Sequence, residues 1–190
     1  MDSKDHAWIS DFLASASKDF IAKIISGEGK QVPLAPWEIE AIQRGLNDDQ
    51  VKFQKGAFQL PDRAPWNIFT LNREYFTHVA AYVELTKEFG VENVKIEQSY
   101  MDLVVHAPPE LIAVEIKKSE GDGENLVKNL RKILPKPDLS TRDRGDDPIR
   151  KAKALLELKA TRFWIITPTK RWKFQVEYPE PAALRLTSVD

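Results

Sequence analysis

Asp102, Glu115 and Lys117 are charged residues set in two short apolar stretches, residues 102–106 and 111–117, that otherwise read as β-strands. Side chains on a strand alternate between faces, so Ile112, Val114 and Ile116 share one side while Ala113, Glu115 and Lys117 share the other. Between the stretches lie Ala107, Pro108, Pro109 and Glu110, a connection short enough for an antiparallel hairpin. Pairing across that hairpin brings Asp102 toward Glu115, because opposed positions are only about 5 Å apart at Cβ. Two carboxylates that close repel each other unless a cation lies between them. A hard divalent metal resolves the conflict, and a neighbouring lysine can orient or deprotonate a water molecule. The plainer alternative has Asp102 capping a strand start, with Glu115 and Lys117 forming a surface ion pair.

The elements around these residues follow from hydrophobic period. Asn72 is a good N-cap for a helix with Tyr75, Phe76, Val79, Val83 and Phe89 on one face and Gly90 as its stop. Residues 94–98 form a first strand candidate ahead of the hairpin. After the hairpin, Leu126, Leu130, Ile133 and Leu134 mark a helix whose other face carries Lys128, Arg131 and Lys132. Residues 135–147 have no apolar period and read as a loop. Asp147 and Pro148 then cap and open a helix through Ile149, Ala152, Leu155 and Leu156. Residues 163–167 read as a buried strand. Trp172, Phe174, Val176 and Tyr178 alternate with Lys173, Gln175 and Glu177 as in a half-buried strand, and Trp164 and Trp172 read as core residues. His106, on the strand face of Asp102, reads as a structural histidine.

Toward the N-terminus, Trp8, Ile9, Phe12, Ala16, Phe20 and Ile24 predict one amphipathic helix ending at Gly27, and Pro36 opens a second that runs to about Leu46. Asn47, Asp48 and Asp49 are suited to cap a third. Two short helices around a Gly-containing turn also match a helix-turn-helix pattern, with plain helical packing the default. Residues 56–71, with two prolines, read as a connecting loop. The resulting division is a helical region at 1–55, a loop at 56–71, a core at 72–180 and a tail at 181–190, and the core is of α/β (α+β) class on one mixed sheet.

Composition limits the chemistry. The 190 residues contain no cysteine and three histidines, which excludes thiolate nucleophiles, disulfides and Cys-ligated metals and leaves oxygen as the main ligand type. No apolar run is long enough to span a bilayer, and the first residues lack the pattern of a signal peptide, so a cytoplasmic protein is expected. The net charge of −1 conceals an asymmetry: residues 117–173 hold 16 Lys and Arg against 8 Asp and Glu, a net +8, and the remainder carries −9. A basic segment starting at the charged strand suits a polyanion, although solvated helix faces account for such residues equally well.

Asp102, twelve residues, and then Glu115-Ile116-Lys117, on adjacent strands after a helix and a first strand, resembles the PD-(D/E)xK or restriction-endonuclease-like nuclease superfamily. The resemblance extends over about residues 72–178. Met101 stands where that family usually has proline, a position that does no chemistry. The resemblance implies a restriction-endonuclease-like core, a central mixed sheet flanked by helices, here with an N-terminal helical extension. It implies that Asp102 and Glu115 coordinate Mg²⁺, with Mn²⁺ as a substitute, that the Ile116 carbonyl is an extra ligand, and that Lys117 serves the attacking water. It also implies a helix glutamate near the metal, for which Glu74 is preferred to Glu84, with His78 a lesser candidate. The resulting expectation is an endonuclease acting on DNA, of restriction or repair type, working as a homodimer or as a subunit of a larger assembly and not at a membrane. Lys118, Lys128, Arg131, Lys132, Arg150, Lys151, Lys170 and Arg171 are the candidates for gripping the backbone. The alternatives are a non-catalytic nucleic-acid-binding or scaffold subunit with the same fold, and a nuclease acting on RNA.

Overall fold

The computed structural model describes residues 34–54, 57–61, 65–67, 73–134, 137 and 148–189. The chain divides into two compact units, 1–84 and 85–190. The helix expected through residues 8–24 lies outside the described residues, as does the loop expected at 135–147 apart from the buried Pro137.

In the first unit, α1 (Pro36–Asn47) opens as expected, with Pro36 in its first turn and Ala35 at the N-cap. Among the described residues, no further helix follows before Arg73. A three-stranded antiparallel sheet lies there, in the order β1 (Lys52–Gln54), β2 (Ala57–Gln59), β3 (Trp66–Asn67), so among the described residues α1 has no following helix to complete a helix-turn-helix, and part of the expected loop is strand. The local signal is a period of two: Val51 and Phe53 are buried around exposed Lys52, and Phe58 and Leu60 around exposed Gln59. That alternation outweighs the capping preference of Asn47, Asp48 and Asp49. Phe53 and Phe58 meet edge-on at 5.1 Å, and Phe58 meets Phe76 at 5.7 Å. Glu38, fully buried, accepts hydrogen bonds from the backbone N–H of Ala35 (2.6 Å), from Thr77 (2.6 Å) and from Arg73, which ties α1 to the first turn of α2 (Arg73–Phe89).

The division between the units falls within α2, which ends at Gly90 with φ 90°, the left-handed conformation that glycine adopts without a Cβ penalty. The second unit is built on a six-stranded mixed sheet in sequence order: β4 (Val94–Gln98), β5 (Met101–Ala107), β6 (Glu110–Ile116), β7 (Arg162–Ile166), β8 (Arg171–Glu177) and β9 (Arg185–Val189). All neighbours pair antiparallel except β6 and β7, which are parallel and joined by a crossover through α3 (Glu120–Ile133) and α4 (Pro148–Leu158). The α+β class and mixed sheet agree with the sequence reading. The residues expected to form a tail instead supply β9, whose backbone pairs with β8 from Lys173↔Val189 to Glu177↔Arg185. Its side chains are mostly exposed, so no apolar alternation announced it.

Both faces of the central strands are buried. One carries Leu103, Val105, Ile112, Val114 and Ile116, all fully buried. The other carries Val104, Ala113, Phe163, Ile165 and Phe174, which pack in one cluster with Leu126 and Leu130 of α3 and Ala152, Leu155 and Leu156 of α4. Lys128, Arg131 and Lys132 lie exposed on α3, as its period predicts. Gly123 sets how closely α3 approaches the sheet, since a Cβ there would lie 2.5 Å from the ring of Trp172. Replacing Gly123 by Ala should therefore destabilise the protein by roughly 1–3 kcal/mol, the usual range for overpacking, measured by urea denaturation. An unchanged midpoint would show that the α3 contact yields freely.

Candidate functional site

The β5–β6 register runs from Ala107↔Glu110 to Leu103↔Val114, and just beyond its end the carboxylates of Asp102 and Glu115 come near enough for their charges to interact. The two side chains share the face that carries Val104 and Ala113, the same face that α3 and α4 cover. Glu115 is therefore not presented outward as a surface residue, and it does not form a surface ion pair with Lys117. It is 1% exposed, inside the layer between sheet and helices, and Lys117, immediately after β6, is 9% exposed. Asp102 is half-buried and accepts a hydrogen bond from the backbone N–H of Ile116 at 2.7 Å, which locks the two strand ends together.

Three charges surround the Glu115 carboxylate. Lys117 Nζ donates to Oε1 at 2.6 Å, and Lys151 Nζ lies 2.6 Å from Oε2. The Lys151 contact is an ion pair without aligned hydrogen-bond geometry, so buried Oε2 accepts no good hydrogen bond. Lys151 instead donates to the carbonyl of Tyr100 at 2.7 Å. Burial, then the neighbouring Asp102 carboxylate, push the Glu115 pKa up to about 7, and Lys151 and Lys117 pull it back only in part. Desolvation prevails although two ammonium groups are in contact, because ion pairing in a low-dielectric layer repays only part of the hydration that is lost.

Lys151 was expected among the residues that grip a nucleic-acid backbone. At 5% exposure it belongs to the buried cluster instead. The signal was present in the helical period, since Lys151 precedes buried Ala154 and Leu155 by three and four residues and so lies on the apolar face of α4. Of the other candidates, Lys128, Arg131, Lys132, Lys170 and Arg171 are exposed and Lys118 is half-buried. Arg131 and Lys132 occupy the last turn of α3, where positive charge also complements the helix dipole. Lys170 pairs with Glu120 at 3.0 Å and Glu124 at 3.4 Å, and the hydrogen bond to Glu120 holds its ammonium above the ordinary lysine range. Arg150 lies over the Tyr100 ring at 5.2 Å. Glu74 sits half-buried in the first turn of α2, and among the described residues no group of three or more His, Asp or Glu side chains is set to hold a metal ion. His78 is buried. His106 Nε2 lies 2.9 Å from Gln98 Oε1, the structural role expected of it.

Chemically, the arrangement offers two neighbouring carboxylates, one of them desolvated and poised near neutrality, with two ammonium groups in contact with it. The chain matches no protein-family model, no curated protein and no solved structure. Because the folded-state pKa of Glu115 is raised, the native protein binds more protons than the unfolded chain between about pH 4.5 and 7. Its contribution to stability is then largest below that window and declines through it, by about 3 kcal/mol in order of magnitude. Urea denaturation in EDTA should show wild type losing stability relative to Glu115→Gln as pH rises from 5 to 8. Parallel pH profiles for the two proteins would contradict the raised value.

Proposed function

We propose that this chain is a metal-dependent nuclease that hydrolyses DNA, with a restriction-endonuclease-like core and a site formed by Asp102, Glu115 and Lys117. The observation that carries this reading is the buried carboxylate of Glu115 within electrostatic reach of Asp102 on the neighbouring strand, with Lys117 Nζ on its Oε1. Supporting it, the motif falls on and just after the adjacent strands β5 and β6, which follow α2 and β4 in a mixed sheet, the setting that the resemblance implies.

The donors suit Mg²⁺ or Mn²⁺. They are hard oxygens, two carboxylates and the Ile116 carbonyl, and Glu115 Oε2 is a buried oxygen without an aligned hydrogen bond. Such a metal, when bound, supplies a Lewis acid and an acidified water. Asp102 is oriented for the task by the Ile116 N–H, and Glu115 by the ammonium of Lys117. Lys117 positions the attacking water and balances charge on the phosphate, while Lys118, Arg171 and the exposed basic residues of α3 hold the backbone on either side.

A second reading, a non-catalytic nucleic-acid-binding subunit, draws on one observation. Asp102 and Glu115 with Lys117 and Lys151 already sum to zero charge when all four are ionised, so the cluster can stand as a structural ion group.

Wild type, Asp102→Ala and Lys117→Ala should be compared on supercoiled, branched and single-stranded DNA with Mg²⁺ and with EDTA. Cleavage should require the metal and fall by roughly 10²–10³-fold in each variant, the usual loss when a group that stabilises transition-state charge is removed. Cleavage that survives EDTA, or equal activity in all three proteins, would contradict the proposal. Salt-sensitive binding without cleavage of any substrate would favour the second reading.

A further inference from the structure

We propose that Tyr100 is a stacking platform for one unpaired nucleobase of the substrate, held beside the site by Lys151 and Arg150. This rests on the nuclease reading above and deepens it by naming the substrate class, nucleic acid with an unpaired base next to the cut.

Gln98 pairs with Met101, so β4 and β5 are joined by a two-residue turn formed by Ser99 and Tyr100, with φ of 48° and 63°. Two successive left-handed residues in a tight hairpin turn are the place for Asn-Gly, and a bulky tyrosine there carries a backbone penalty. Strain of this kind persists where surrounding contacts hold it and is a pointer to function. The contact that holds it leads to the site: the Tyr100 carbonyl accepts a hydrogen bond from Lys151 Nζ, which also pairs with Glu115 Oε2. In sequence, Tyr100 stands two residues before Asp102. The backbone is thus pinned to the carboxylate cluster, while the residue itself is 62% exposed. Over the ring lies the Arg150 guanidinium, 5.2 Å from the centroid.

An exposed aromatic ring fixed against a guanidinium is the combination that binds single strands, the ring stacking a base and the cation meeting the phosphate beside it. A base paired inside a duplex offers the ring no face, whereas an unpaired or everted one does. The tie to the carboxylate cluster runs through the Tyr100 carbonyl, so replacing the ring removes its contact with Arg150 but leaves the bond from Lys151 and the pairing of Lys151 with Glu115 in place.

The test measures binding in EDTA, so that it does not depend on cleavage. The full chain, with Tyr100→Ala and Tyr100→Phe, is titrated with a short single strand carrying 2-aminopurine and with the duplex of the same sequence. The wild type and Tyr100→Phe should quench 2-aminopurine on binding. Tyr100→Ala should bind the single strand roughly 5- to 150-fold more weakly without quenching, and should bind the duplex as the wild type does. Matched thermal melting of the three proteins shows that the fold is kept. No quenching by the wild type, equal behaviour of Tyr100→Ala, or an equal loss on duplex and single strand overturns the platform. Mg²⁺-dependent cleavage that persists alongside such a result leaves the nuclease reading standing, while quenching that follows Tyr100 in a protein that cuts nothing removes the nuclease reading alone.

Discussion

A carboxylate inside an apolar layer costs several kcal/mol unless opposite charge surrounds it, and Glu115 imposes that constraint on the second unit. It lies on β6, an interior strand of the sheet flanked by β5 and β7, on the face packed against α3 and α4. Lys117 must therefore turn back along the strand, Lys151 must reach in from α4, and Asp102 must be held off by its bond to the Ile116 N–H. The result is a compact group of four charges, two of each sign, where an ordinary sheet would place aliphatic side chains.

The same constraint links distant parts of the chain. Lys151 enters β6's surroundings from a helix more than thirty residues later in sequence, and its second bond goes to the turn before β5. Through this one ammonium the crossover helix, the central strand and the β4–β5 turn share a contact. Loss of Lys151 would leave Glu115 with one ammonium and Tyr100 without its tie, so the cluster couples the geometry of the carboxylates to the exposed ring at its edge. Gly123 contributes from the other helix by letting α3 sit close to Trp172.

Much of this was legible in the sequence. The strands at 102–106 and 111–117 are carried by short apolar runs around a Pro-Pro connection, the helix ending at Gly90 and the strand around Trp172 by periods of 3.6 and 2 in apolar residues, and the structure has all of them within a residue or two. So was the approach of Asp102 to Glu115, which needs only a tight hairpin of known length. Burial was less legible. Strand alternation told which residues share a side with Glu115 but not that helices cover that side, because coverage depends on a crossover between strands distant in sequence. The small sheet from Lys52 to Asn67 shows its period of two only over strands of two or three residues, next to the capping residues Asn47, Asp48 and Asp49 that suggest a helix, and β9 is held by backbone pairing with little apolar signal. Lys151 could have been found from its place on the apolar face of α4, yet its charge suggested a surface role.

The proposed nuclease function requires Asp102 and Glu115 to hold one hard divalent cation between them. Calorimetric titration of Mn²⁺ into metal-free wild type, Asp102→Asn and Glu115→Gln at pH 8 tests it most directly. The wild type should show a saturable site that both substitutions abolish while thermal melting shows each variant folded. Absence of binding in the wild type, or binding that survives both substitutions unchanged, would contradict it.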